Sequence, residues 1–136
     1  MDYVDTTLSE YDREFEIDVT QNILNLSDAT FRHPQTQFKW IHRMRQHQRR
    51  IVILNRNIDD YIKASAESIR KEYPKISEVK LKSSLTTNSE YVETKRKVED
   101  EKMIVEHLEQ YIKILQQMGY NFKTSTEHIK LDLTLE

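Results

Sequence analysis

The side chains best able to do chemistry together are cations. Lys39, Arg43, Arg45, Arg49, Arg50, Arg56 and Lys63 crowd one stretch of the chain. Residues 32–58 hold six arginines and one lysine and no acid, so the run contains no carboxylate for i,i+4 pairing. The planar arginine fork suits phosphate oxygens and stays charged. The chemistry on offer is neutralisation of a polyanion, above all a nucleic-acid backbone. Phe31, Phe38, Trp40 and Tyr61 lie in or beside the run, where bases could stack. A plainer reading also fits: the charges flank a coiled-coil seam, solvated or paired with acids of a neighbouring helix.

Other chemistries find little support. His33, His42, His47, His107 and His128 share no metal-ligand spacing, and no cysteine is present. There is no Gly-rich phosphate loop, which argues against ATP hydrolysis. The carboxylates of "VEDEK" at 98–102 read as a solvated face with nearby lysines. No Ser/His/Asp set can be placed. The chain is therefore expected to be non-catalytic, with no cofactor and no metal.

Charge is distributed in blocks. Residues 1–31 hold eight acids and one base, residues 32–58 seven bases and no acid, and residues 59–136 fifteen acids and thirteen bases. The blocks sum to −7, +7 and −2, which gives the net charge of −2. A basic block beside an acidic arm implies a polyanion partner, or internal pairing of the two. No apolar run approaches a membrane span, and the acidic start does not look like a signal peptide. A soluble, intracellular protein is expected.

The elements that must carry these charges read as helices. One glycine and two prolines in 136 residues leave few tight turns, so long helices with few connections are expected. An acidic arm at 1–31 is assigned short helices, for example from Asp18 to about Leu26. A long helix is assigned to about 34–72, with Pro34 at its first position and "YP" at 73–74 as its stop. Its seam runs Ile41, Met44, Gln48, Ile51, Asn55, Ile58, Ile62, Ser65 and Ile69 in steps of three and four.

A polar connection at 74–88 has room for a short helix. "TNSE" at 87–90 reads as a capping box, Thr87 with Glu90, opening a second long helix over about 88–118. Its seam is Tyr91, Thr94, Val98, Glu101, Val105, Leu108, Ile112 and Leu115, and Gly119 is assigned as its left-handed cap. The two long helices are expected to fold back as an antiparallel hairpin over 32–119. The tail, 120–136, contains a second capping pattern at 124–127. It also contains an alternation of Ile129, Leu131, Leu133 and Leu135. A short helix is preferred there over a strand, with a role in assembly.

On a helical wheel Trp40, Met44, Ile51, Ile58, Ile62 and Ile69 share one stripe. Lys39, Arg43, His47 and Arg50 fall on one side of it; Arg45, Arg49, Arg56 and Lys63 fall on the other. Trp40 lies on the apolar side and is a core or interface residue before it is a stacking platform. With no base-reading motif, backbone contact with little sequence preference is expected.

These features, in order, resemble the UvsY family of recombination mediators from T-even-type phages. "EID" at 16–18 opens the likeness and "FKWI" at 38–41 matches the start of the family's first long helix. "LNRNIDDY" at 54–61 resembles its DNA-binding segment. "KSSL" at 82–85, the spacing from there to Gly119, and "GYNFK" at 119–123 complete it. The likeness spans about Ile17 to Leu131. The family's two basic positions fall on Asn55 and Asn57, with Arg56 between them. The distance from Trp40 to that segment is shorter than in the family by about two helical turns. The charge is shifted toward Arg45, Arg49 and Arg50.

The resemblance implies an all-α protomer in a ring, reported in the family as a heptamer, in the cytoplasm of an infected bacterial host. It implies binding of single-stranded DNA and loading of a RecA-like recombinase of the UvsX type, in place of the phage single-strand-binding protein. Such a protein serves DNA recombination, repair and replication. The expected DNA contacts are Lys39, Arg43, Arg45, Arg49, Arg50, Arg56 and Lys63. The expected core or oligomer seam is Trp40, Met44, Ile51, Ile58, Ile62, Leu108, Ile112 and Leu115. A scaffold protein whose basic helix docks on acidic protein is the alternative.

Overall fold

The computed structural model describes the backbone of residues 2–24 and 26–135 and the side chains of 2–24 and 28–124. Among the described residues it is all-helical: α1 (Tyr3–Leu24), α2 (Leu26–Glu72), α3 (Glu78–Thr86) and α4 (Ser89–Leu135). The chain forms two compact units, one of residues 1–46 and 104–136, the other of residues 47–103.

In the first unit α1 is a single helix of 22 residues, where short helices were expected. A helix of this length and composition is marginal in isolation, and tertiary packing must hold it. Val4, Leu8, Tyr11 and Phe15 recur at helical spacing and pack with Trp40 of α2 and with Ile104, Leu108, Tyr111 and Leu115 of α4. Trp40 is fully buried. The rings of Tyr11, Phe15 and Tyr111 stand edge-on to it at 5.7, 5.6 and 5.0 Å, and Phe15 stacks on Tyr111 at 4.1 Å. Such pairs add about 0.5–1.5 kcal/mol each beyond area burial. Ile104 and Tyr111 lie outside the seam read from sequence, because α4 packs against α1 as well as α2 and needs a wider apolar face.

Two breakers behave differently from expectation. Pro34 is inside α2, not at its first position, so the Thr30 carbonyl loses its α-helical donor there. Buried Ala29 and His33 anchor the turn on the N-terminal side of that defect. Gly119 does not cap a helix. Its φ is not positive, and α4 runs past it to Leu135. Its role is close approach. His33 Nε2–H donates to the Leu115 carbonyl at 2.7 Å, and a β-carbon on residue 119 would lie 2.9 Å from that nitrogen. The preferred tail helix is thus part of α4, and Thr124 Oγ1 donates to the Tyr120 carbonyl instead of opening a new helix. The side chains of Ile129, Leu131, Leu133 and Leu135 lie outside the described residues, as do those of Leu26 and Glu127.

In the second unit α2 ends before Tyr73–Pro74, as the sequence indicates, and a short α3 fills the connection. Ser77 caps α3, accepting from the Lys80 amide at 3.3 Å. The cap of α4 is Asn88, whose Oδ1 accepts from the Glu90 amide at 2.8 Å. Thr87, the expected cap, is turned to α3 and donates to the Ser83 carbonyl at 2.7 Å. Ile58, Leu81, Leu85 and Val98 are buried. This unit also buries a polar pair, His47 Nδ1 and Glu101 Oε2, 2.5 Å apart. Breaking a buried pair of this kind costs about 3–5 kcal/mol, whereas replacing both members by packed apolar groups is often neutral. Its plainest consequence is register: a slip would leave each group buried alone.

Gly119→Ala decides between two opposed effects. Alanine gains about 1 kcal/mol of helix propensity, and overpacking a fixed ring costs about 1–3 kcal/mol. His33 is held by its hydrogen bond, so the steric cost wins. The variant is expected to lose about 1 kcal/mol and roughly 3 °C in Tm by thermal denaturation, and a raised Tm would contradict this role.

Candidate nucleic-acid interface

The cations of α2 separate into two edges with different fates. On one edge Arg43 Nη1 and Nη2 both donate to the Glu14 carboxylate, at 2.6 and 2.9 Å. Lys39 Nζ lies 2.9 Å from Glu14 and 2.6 Å from Asp18. Asp18 also accepts from Trp40 Nε1–H at 3.0 Å. The Arg43 guanidinium sits over the rings of Trp40 and Tyr11, at 4.8 and 5.3 Å from their centroids. Helix α1 thus supplies the acids for these two cations and one of the two aromatic faces, Tyr11. The hydrogen bonds from Arg43 hold the Glu14 carboxyl well down, at about 2 against an ordinary 4.5, and the same contact raises Arg43.

A second strap ties α1 to α4. The Tyr111 hydroxyl donates to Asp12, and His107 Nε2 lies 2.7 Å from the same carboxylate. Burial alone would raise Asp12, but the hydrogen bonds from Tyr111 and His107 hold it below its usual range. Burial, then the bond to Asp12, pushes the Tyr111 hydroxyl far up.

In the second unit this edge ends in His47 and Arg50. His47 is buried against Glu101, and Arg50 Nη1 lies 3.8 Å from the same carboxylate. Arg50 remains half exposed. Of the seven expected contacts, Lys39 and Arg43 are therefore committed inside the protein, and Arg50 is partly so.

The other edge is different. Arg45, Arg49, Arg56 and Lys63 are all exposed, at steps of four, seven and seven along α2. None has an ion pair or side-chain hydrogen bond among the described residues. Asp59 and Asp60 flank the last step, so the acid-free part of the edge ends near Arg56. Asn55 and Asn57 are exposed beside Arg56.

The expected core or oligomer seam residues are buried or half-buried in both units. Trp40, Ile58, Leu108 and Leu115 are buried, and Met44, Ile51, Ile62 and Ile112 are half-buried. Gln48 and Asn55, read as seam positions, are exposed; the buried row passes instead through His33, Trp40 and His47. Their seven-residue spacing was a usable signal, but histidine is seldom counted as a core residue. Trp40 is closed to any ligand.

An open groove of about 970 Å³ lies between the end of α2, α3 and the start of α4. Its rim mixes Lys63, Arg70, Lys71 and Lys82 with Glu67 and Glu78 and does not converge on one charge. No helix among the described residues is long and apolar enough to cross a membrane. No family model, curated protein or solved structure matches the chain.

The Glu14 clamp makes stability acid-sensitive. A carboxyl depressed in the folded state contributes fully above its unfolded value of about 4.5 and loses that contribution as pH falls toward about 2. Glu14 is 39% exposed, so solvent screening reduces the effect to about 1 kcal/mol. Glu14→Gln is expected to lower Tm at pH 7 by roughly 3 °C. It should also flatten the loss of Tm between about pH 4.5 and 2. Parallel pH profiles for the two proteins would contradict the clamp.

Proposed function

We propose that this protein binds single-stranded DNA without catalysis and acts as a recombination mediator, loading a RecA-like recombinase in place of single-strand-binding protein. The observation that carries the binding step is the unpaired edge of α2. Arg45, Arg49 and Arg56 are exposed with no carboxylate partner among the described residues, while Lys39 and Arg43 on the opposite edge are neutralised by α1. Maintaining uncompensated cations along one line favours a polyanion, and the lack of a base-reading signature favours backbone contact. The mediator step rests on the resemblance to the UvsY family.

Two further elements belong to the proposal. The long helices form an antiparallel hairpin. Supporting this, His33 meets Leu115 and Trp40 meets Tyr111 in one unit, while His47 meets Glu101 and Tyr61 meets Tyr91 in the other. The protomers assemble as a ring, heptameric in the family. Exposed Val52, Ile53, Val92, Met103 and Ile114 supply apolar surface for a neighbour. A ring multiplies an edge of a few charges into many phosphate contacts.

One observation favours the scaffold alternative. In α1 the protein already docks an acidic helix on basic α2, and an acidic partner could do the same on the free edge.

A salt titration with a fluorescent single-stranded oligonucleotide separates the two. Affinity is expected to fall steeply with salt, and Arg45→Ala/Arg49→Ala to make the slope of log K against log salt shallower by about 1.4 for each protomer that engages the strand. Light scattering on the same samples should give a mass several times that of the protomer. Absence of binding at low salt would overturn the DNA reading, and a monomer would overturn the ring.

A further inference from the structure

The first unit exposes two large aromatic side chains on α2. Phe31 is 78% and Phe38 is 67% exposed. Single exposed apolar residues are ordinary, but these two are seven residues apart and Arg45 follows seven residues later. A heptad step drifts only about 20° around an ideal helix, so the spacing puts the three on one face of α2. The phenylalanines are about 10 Å apart along the axis. The His42 ring lies parallel to Phe38, with centroids 6.2 Å apart. No acid occurs from Ala29 to Ile58, and Asp28, just before, is bound to Arg32 at 3.0 Å.

We infer that Phe31 and Phe38, with His42 beside them, form a base-stacking platform for single-stranded nucleic acid, continuing the line of unpaired Arg45. The inference rests on the proposed DNA binding and adds what the cations cannot supply. Arginines bind duplex, single strand and other polyanions alike, because all present charge. Exposed rings engage only bases that are unstacked and free, which duplex hides. The occupant is therefore a single strand and not a protein: an apolar patch for a second copy has no need to align with uncompensated cations. Trp40, the ring that sequence places nearest the charge, is buried and cannot serve.

The test compares a labelled oligothymidine with an abasic oligonucleotide of the same length, by fluorescence anisotropy at several salt concentrations. Phe31→Ala/Phe38→Ala removes two exposed rings and leaves the core intact. It is expected to bind oligothymidine roughly tenfold or more weakly, with an unchanged salt slope. Its affinity for the abasic strand should equal that of the wild type. The platform is overturned if oligothymidine binding is unchanged, or if both strands weaken equally. It is also overturned if light scattering shows that the variant has lost its assembly, since the rings then serve a subunit contact. Steep salt dependence in the wild type with no effect of the variant would remove the platform alone. Failure of the wild type to bind either strand would remove the DNA reading with it.

Discussion

Glu14 is the contact on which the arrangement of charge depends. It holds Arg43 by two hydrogen bonds and Lys39 by a third, directly over the aromatic cluster around Trp40. Surface ion pairs alone contribute little, with a median of about 0–1 kcal/mol. This one is backed by packing. The guanidinium lies on two aromatic faces, and the buried tryptophan beneath it would cost about 3–5 kcal/mol to truncate. Apolar burial fixes where α1 lies, and the acids then select which cations are silenced.

The result is a division of labour on one helix. Cations facing α1 stabilise the protein; cations on the far edge remain available. A helix with both edges free would repel itself more strongly and present no preferred direction to a polyanion. In the first unit Lys39 and Arg43 are neutralised and Arg45 is not. The same logic bears on the proposed stacking platform. Phe31 and Phe38 sit on the exposed side with Arg45, while Trp40, Tyr11, Phe15 and Tyr111 are gathered on the α1 side to form the core.

Much of this was legible in the sequence, for identifiable reasons. The scarcity of Gly and Pro and the alternation of three- and four-residue steps gave the long helices, and the wheel gave both basic edges. The wheel could not say which edge meets α1, because that requires knowing where the acids of another helix lie in space. Gly119 was misread because a lone glycine near a helix end usually supplies a left-handed cap; here it makes room for His33. By sequence Pro34 suits a helix start, but buried Ala29 and His33 on its N-terminal side carry the helix through it. Thr87 lost the capping role to Asn88, one position nearer the helix. Ile104 and Tyr111 were missed because a two-sided helix needs a wider apolar face than a single seam.

The account is tested most directly by comparing Arg43→Ala with Arg45→Ala for binding to single-stranded DNA. The two cations sit two residues apart on one helix and differ in whether α1 has claimed them. Arg45→Ala should weaken binding and reduce its salt slope by about 0.7 per engaged protomer, with no loss of thermal stability. Arg43→Ala should lower Tm and leave the salt slope as it was. Equal loss of DNA affinity and salt slope in both variants would contradict the division of α2 into a structural edge and a binding edge.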